Sequence, residues 1–325
     1  MPLTVPNPPA REEIFEPPAL GCGTQSWDHP PLEPPSFTRI GAPRPLALWH
    51  LASFDAPTVA VVWSLGFAWA ADTRLPLWVP ALLALTVWAV YAGDRLLDAR
   101  SGLHDPGLNR LRERHYFHWR HRRLFLPLAA VAAGSAALLV LMFMPAAARD
   151  RGSILAAVSL AYFARVHSGH RARPFFSPLL SKEMLVGLLF TFGCALPVLG
   201  RLHTMAHAPA WPILCSLAFF AVLAWLNCHA IDTWETRKCG SGRSPIFLQS
   251  SLIGVTGVSL AGFALYSHPR VAALFFAGAL SALSLAWLDR RRRRFTPVAL
   301  RAAADLVLLT PALVLPIAAL LGRIA

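Results

Sequence analysis

Leu75-Pro-Leu-Trp-Val-Pro-Ala-Leu-Leu-Ala-Leu-Thr-Val-Trp-Ala-Val-Tyr-Ala-Gly-Asp-Arg-Leu-Leu-Asp-Ala-Arg100 is an apolar run that ends in charge. From Leu75 to about Gly93 it is long enough, as a helix rising ~1.5 Å per residue, to cross a hydrocarbon core of about 30 Å. It then delivers Asp94 and Asp98 at the edge of the membrane. If the helix continues, their i,i+4 spacing puts both carboxylates on one face. Two anions so placed repel unless a cation lies between them. Oxygen-only donors suit Mg²⁺, which often completes its shell with phosphate oxygens. The plainer alternative is a solvated helix end, with Asp94 and Asp98 paired to Arg95 and Arg100.

The rest of the chain follows the same plan. Of 325 residues, 55% are hydrophobic and 14% charged, whereas soluble domains carry about a quarter charged residues. The apolar residues fall in long blocks, and alternating ten-residue segments are absent. The expected class is therefore an all-α polytopic membrane protein, not a barrel. Nine spans are expected: 46–70, 75–93, 124–147, 153–166, 179–199, 211–227, 246–267, 271–288 and 298–321. Residues 1–45, rich in Pro, read as a disordered cytoplasmic tail, and 46–325 as the transmembrane domain. The tail lacks a basic segment leading into an apolar one, so it does not read as a secretory signal.

Net charge is +13, almost all of it from Arg. Of the 30 Lys and Arg, 21 fall in the loops after the even-numbered spans, and 6 in the alternate loops and the C-terminal end. By the positive-inside rule this places both acidic clusters and the N-terminus in the cytoplasm, and the C-terminus outside, of a plasma or bacterial inner membrane. No soluble basic surface is present, so nucleic acid is not an expected partner. The five cysteines are scattered without a CxxC pair, so neither a disulfide framework nor a zinc site is expected.

The sixth span ends in a second polar cluster, Asn227-Cys-His-Ala-Ile-Asp-Thr-Trp-Glu235. Asp232 and Glu235, at i,i+3, again share a helical face. Two acidic clusters on one membrane surface suit a cage in which Mg²⁺ holds a diphosphate, with Asn227 in support and Arg95, Arg173 and Lys182 as phosphate-binding cations. Asp55, inside the first span, is costly there unless it faces a polar interior. It is read as a group near the site that orients an acceptor or carries protons, against the alternative of local pairing with His50. Arg301 and Asp305 read as an interfacial i,i+4 ion pair.

Nine spans with acidic motifs after the second and sixth resemble the UbiA superfamily of intramembrane prenyltransferases. The segment Ser177 to Pro197, where Lys182 precedes a Gly-containing helix, is similar to that family's fifth-span entry. The resemblance covers about Leu46 to Leu321. It implies a UbiA-like bundle and Mg²⁺-dependent transfer of an isoprenyl chain from its diphosphate to an aromatic or lipid acceptor. The family's first motif, NDxxDxxxD, keeps its last two acids as Asp94 and Asp98, while its opening positions are Val90 and Tyr91. The second, DxxxDxxxD, keeps its middle acid as Asp232, flanked by Cys228 and Thr236, with Glu235 one residue early.

Two other classes compete. Such degenerate motifs also suit a non-catalytic scaffold that binds an isoprenoid or quinone. The pairs His115/His118 and His167/His170, with His203/His207, invite comparison with membrane di-iron oxygenases. The topology, however, puts His203 and His207 on the opposite side from the others, and an iron site needs one converging cluster.

Overall fold

In the computed structural model, the chain is described over residues 39–104, 113–167, 181–202, 210–236 and 244–324. These residues form twelve helices. In order they are α1 (Arg44–Leu51), α2 (Asp55–Ala70), α3 (Trp78–His104), α4 (Glu113–Arg120), α5 (Arg122–Phe143) and α6 (Ala146–His167). Then come α7 (Lys182–Leu202), α8 (Trp211–Thr236), α9 (Pro245–Ala264), α10 (Pro269–Arg291), α11 (Pro297–Leu306) and α12 (Pro311–Ile324). Among the described residues there is no strand, only an isolated parallel bridge between Ile40 and Phe295. That bridge and the start of α1 fall inside the segment expected as tail; residues 1–38 lie outside the described residues.

Among the described residues, seven segments are long and apolar enough to cross a membrane: α3, α5, α7, α8, α9, α10 and the α11–α12 pair. The number is eight if α1 and α2, which meet at an angle of 87°, form one bent span. The fourth expected span corresponds to α6, whose first two turns carry Arg149, Asp150 and Arg151; it is not among the seven.

Burial separates inner from outer helices. The apolar stretches of α10 and α8 are 67% and 56% buried, and that of α5 is 17% buried, so α8 and α10 form the centre of the bundle. Small residues allow the close approaches. A Cβ on Gly187 would meet the backbone nitrogen of Trp225 at 2.8 Å, so α7 and α8 pack backbone to backbone just before Asn227. Gly257 lies similarly close to Ala279 of α10.

The last span is interrupted by a 3-10 turn, Val307–Leu309, between α11 and α12. A break inside so apolar a segment frees backbone carbonyls that must find donors inside the protein. Trp63 Nε1 donates to the Leu308 carbonyl at 2.8 Å, and Ser281 Oγ to the Val307 carbonyl at 2.7 Å. Trp63 is 1% exposed and stacks on Phe220, ring centroids 4.2 Å apart. Trp63→Phe keeps most of that packing but leaves the buried Leu308 carbonyl without its indole donor. It is expected to cost about 1–3 kcal/mol, read as a lower thermal midpoint of the detergent-purified protein.

Candidate functional site

The break between α1 and α2 builds the centre of the site. α1 is stopped after Leu51, and Ser53 takes a left-handed conformation (φ 63°) that side chains other than glycine adopt at a cost. Its Oγ lies 3.1 Å from His118 Nε2, and both side chains are buried. The reversal brings His50, in the last turn of α1, onto Asp55, the first residue of α2. His50 Nδ1 lies 2.7 Å from Asp55 Oδ2 and 3.4 Å from Asp305 Oδ2 of α11.

Two more helices reach this pair of carboxylates. Arg95 of α3 donates from Nη1 to the His50 carbonyl at 2.9 Å and places Nη2 at 3.5 Å from Asp55 Oδ2. Asn227 of α8 donates from Nδ2 to Asp305 Oδ1 at 3.1 Å. Asp55 Oδ1 accepts the backbone N–H of Ala56 at 2.9 Å. Five helices thus converge on one polar cluster. Tyr91 and Cys228 lie within its electrostatic reach.

Of the residues expected to form the site, Asp55, Arg95 and Asn227 therefore come together. Asp55 faces the interior and pairs with His50, the alternative weighed for it. Asp94 and Asp98 lie one and three residues beyond Arg95 in either direction on α3; Asp98, 41% exposed at its side chain, faces His115 of α4 at 3.7 Å. Asp232 is half-buried on the last turns of α8, and Glu235 pairs with Arg301 of α11. Trp234 Nε1 donates to Asp289 of α10 at 2.8 Å, so the end of α8 is pinned to two neighbours. Lys182 opens α7, exposed. Arg173 lies outside the described residues, as do His170, His203 and His207.

Asp305 is an addition to the expected site, and His50 entered the sequence reading only as a local partner for Asp55. Arg301 and Asp305 were expected to pair with each other; the structure gives both other partners, Glu235 for Arg301, and His50 and Asn227 for Asp305. A spacing of i,i+4 registers only the neighbour on the same helix. The partners that matter here lie on α1 and α8.

α4, between the spans of α3 and α5, closes over this end through His118. Burial pushes the His118 imidazole down to about 4, with Arg95 and Arg114 nearby adding to the effect; the Arg114 carbonyl bound at Nδ1 and the charge of Asp55 oppose it. A histidine held neutral when folded takes up a proton more readily when unfolded. Its contribution is present above about pH 6.5 and is lost as pH falls toward 4. The thermal midpoint is expected to fall across that window, and His118→Gln, which keeps a polar group facing Ser53, to flatten the fall.

A scan against protein-family models, a search of curated proteins and a search of solved structures each returned no match.

Proposed function

We propose that this chain is an intramembrane prenyltransferase of the UbiA type, with nine spans and its acidic helix ends in the cytoplasm. In this reading it moves an isoprenyl chain from a diphosphate to a lipophilic acceptor. The observation that supports it is the joint anchoring of the two acidic helix ends. Arg95, beside Asp94, and Asn227, five residues before Asp232, bind the same buried group of His50, Asp55 and Asp305. α3 and α8 are thereby held by one centre at the ends where their carboxylates emerge.

Asp94, Asp98, Asp232 and Glu235 are oxygen donors at helix ends, and Asp98 is open to solvent, a donor set that suits Mg²⁺. When bound, Mg²⁺ would neutralise charge on the diphosphate leaving group. Lys182 and Arg173 would hold phosphate oxygens. The allylic C–O bond breaks, diphosphate leaves with the electron pair, and the acceptor atom gives up a proton as it takes the prenyl carbon. Asp55 would orient the acceptor. The apolar spans would keep water from the reacting carbon.

One observation favours a second reading, a binding protein without turnover. Glu235 is already engaged by Arg301, which removes one acid from a motif that is short of acids. Membranes containing the chain, given radiolabelled geranylgeranyl diphosphate and Mg²⁺ in the presence of native lipid, separate the two. A labelled lipid product that needs the chain supports the transferase. Saturable retention of label without product supports the binding protein.

A further inference from the structure

The group of His50, Asp55 and Asp305 does more than tie helices together. Each carboxylate has one oxygen fixed by a neighbour and the other turned to the same imidazole nitrogen. Ala56 N–H holds Asp55 Oδ1, and Asn227 Nδ2 holds Asp305 Oδ1. This leaves Asp55 Oδ2 and Asp305 Oδ2 converging on His50 Nδ1, with all three atoms within 4.8 Å of one another. Outer partners that fix the orientation of inner donors are the usual surroundings of a metal site.

One further observation points to a cation. Asn227 Oδ1 is buried and has no hydrogen-bond partner among the described residues, although its amide nitrogen sits on Asp305. A water bound to a metal ion would supply the missing donor.

We propose that His50 Nδ1, Asp55 Oδ2 and Asp305 Oδ2 bind one divalent transition-metal ion of the zinc class, whose bound water donates to Asn227 Oδ1. One nitrogen and two carboxylate oxygens form a donor set that zinc accepts, with a fourth position left to water. Bonds of about 2.0–2.1 Å in a tetrahedron place donor atoms roughly 3.3 Å apart. The contact to Asp305 at 3.4 Å already fits, and the contact to Asp55 at 2.7 Å opens by roughly 0.6 Å as the imidazole proton leaves. Entry is from the side of Asp305, whose side chain is 17% exposed. This site is separate from the carboxylates of Asp94, Asp98, Asp232 and Glu235 and stands whether or not they bind Mg²⁺.

The test is a Co²⁺ titration of the untagged, metal-stripped, detergent-purified chain, followed by visible absorption, with Zn²⁺ as competitor. The expected result is one tightly held Co²⁺ per chain with visible bands of a four-coordinate ion, displaced by one equivalent of Zn²⁺. Binding should fall at least tenfold in His50→Gln and Asp305→Asn and stay unchanged in Asp94→Asn and Asp232→Asn. Cu²⁺ bound to the unaltered chain should show imidazole nitrogen in pulsed EPR, a readout that needs no variant to fold. Absence of stoichiometric Co²⁺ in the unaltered chain would mean that a proton alone fills the cluster and overturns the proposal. So would binding that survives His50→Gln and Asp305→Asn, or that is lost in Asp94→Asn.

Discussion

Arg95→Met is expected to lower the unfolding free energy of the detergent-purified protein by about 3–5 kcal/mol, the usual cost of removing one partner from a buried ion pair. Methionine fills similar space without charge. Arg95 is 4% exposed and is the cation nearest Asp55 in the cluster. Without it, Asp55 and Asp305 keep only His50 and the neutral donors Ala56 N–H and Asn227 Nδ2. The carbonyl of His50 also loses the guanidinium donor and keeps only the backbone N–H of Ser53, at 3.1 Å. Arg95→Lys should recover part of the loss, since an ammonium restores charge but not the two-armed reach to carbonyl and carboxylate. Arg293, exposed in the 3-10 turn after α10, gives the control: Arg293→Met should change stability by less than about 0.5 kcal/mol. A loss below about 1 kcal/mol for Arg95→Met would mean that the carboxylates do not depend on it.

Asp94→Asn and Asp232→Asn, made separately, are each expected to reduce prenyl transfer by at least about a hundredfold. A carboxylate that helps neutralise a leaving group acts mainly in the transition state, and losing one such interaction costs roughly 2.7–4 kcal/mol. Both side chains lie outside the buried cluster, and each asparagine is close in shape to the residue it replaces, so the thermal midpoint should move little. That split between activity and stability distinguishes them from Arg95. Glu235→Gln should behave differently, because Glu235 pairs with Arg301: its cost falls on stability as well as on turnover. Full activity in both aspartate variants would remove the mechanism.

Most of the long apolar helices were legible because a membrane demands such blocks, although the fourth expected span, α6, is not among the seven; the ends of α3 and α8 were legible because charges stand out against them. The inward position of Asp55 followed from the cost of a carboxylate at that depth. The sharp bend between α1 and α2 was not read, although Pro57 in the first turn of α2 signals a helix start near Asp55. An unbroken helix would carry positions 50 and 55 on different faces, so His50 was read only as the alternative partner of Asp55. Asp305 was missed for another reason. Its partners are 78 and 255 residues away in sequence, and helical spacing carries no trace of contacts made by folding. The same limit applied to Glu235: its i,i+3 relation to Asp232 was visible, but its engagement by Arg301 on another helix was not.

The most direct test of the central claim, a diphosphate site between the acidic ends of α3 and α8, is the thermal midpoint of the purified chain with and without geranylgeranyl diphosphate, each with and without Mg²⁺. A ligand that binds only the folded state raises stability by about 2.7 kcal/mol at a hundred times its dissociation constant. The account predicts an upward shift that requires both ligand and Mg²⁺ and disappears in Asp94→Asn. No shift with this or shorter prenyl diphosphates, or a shift of equal size in Asp94→Asn, would contradict it.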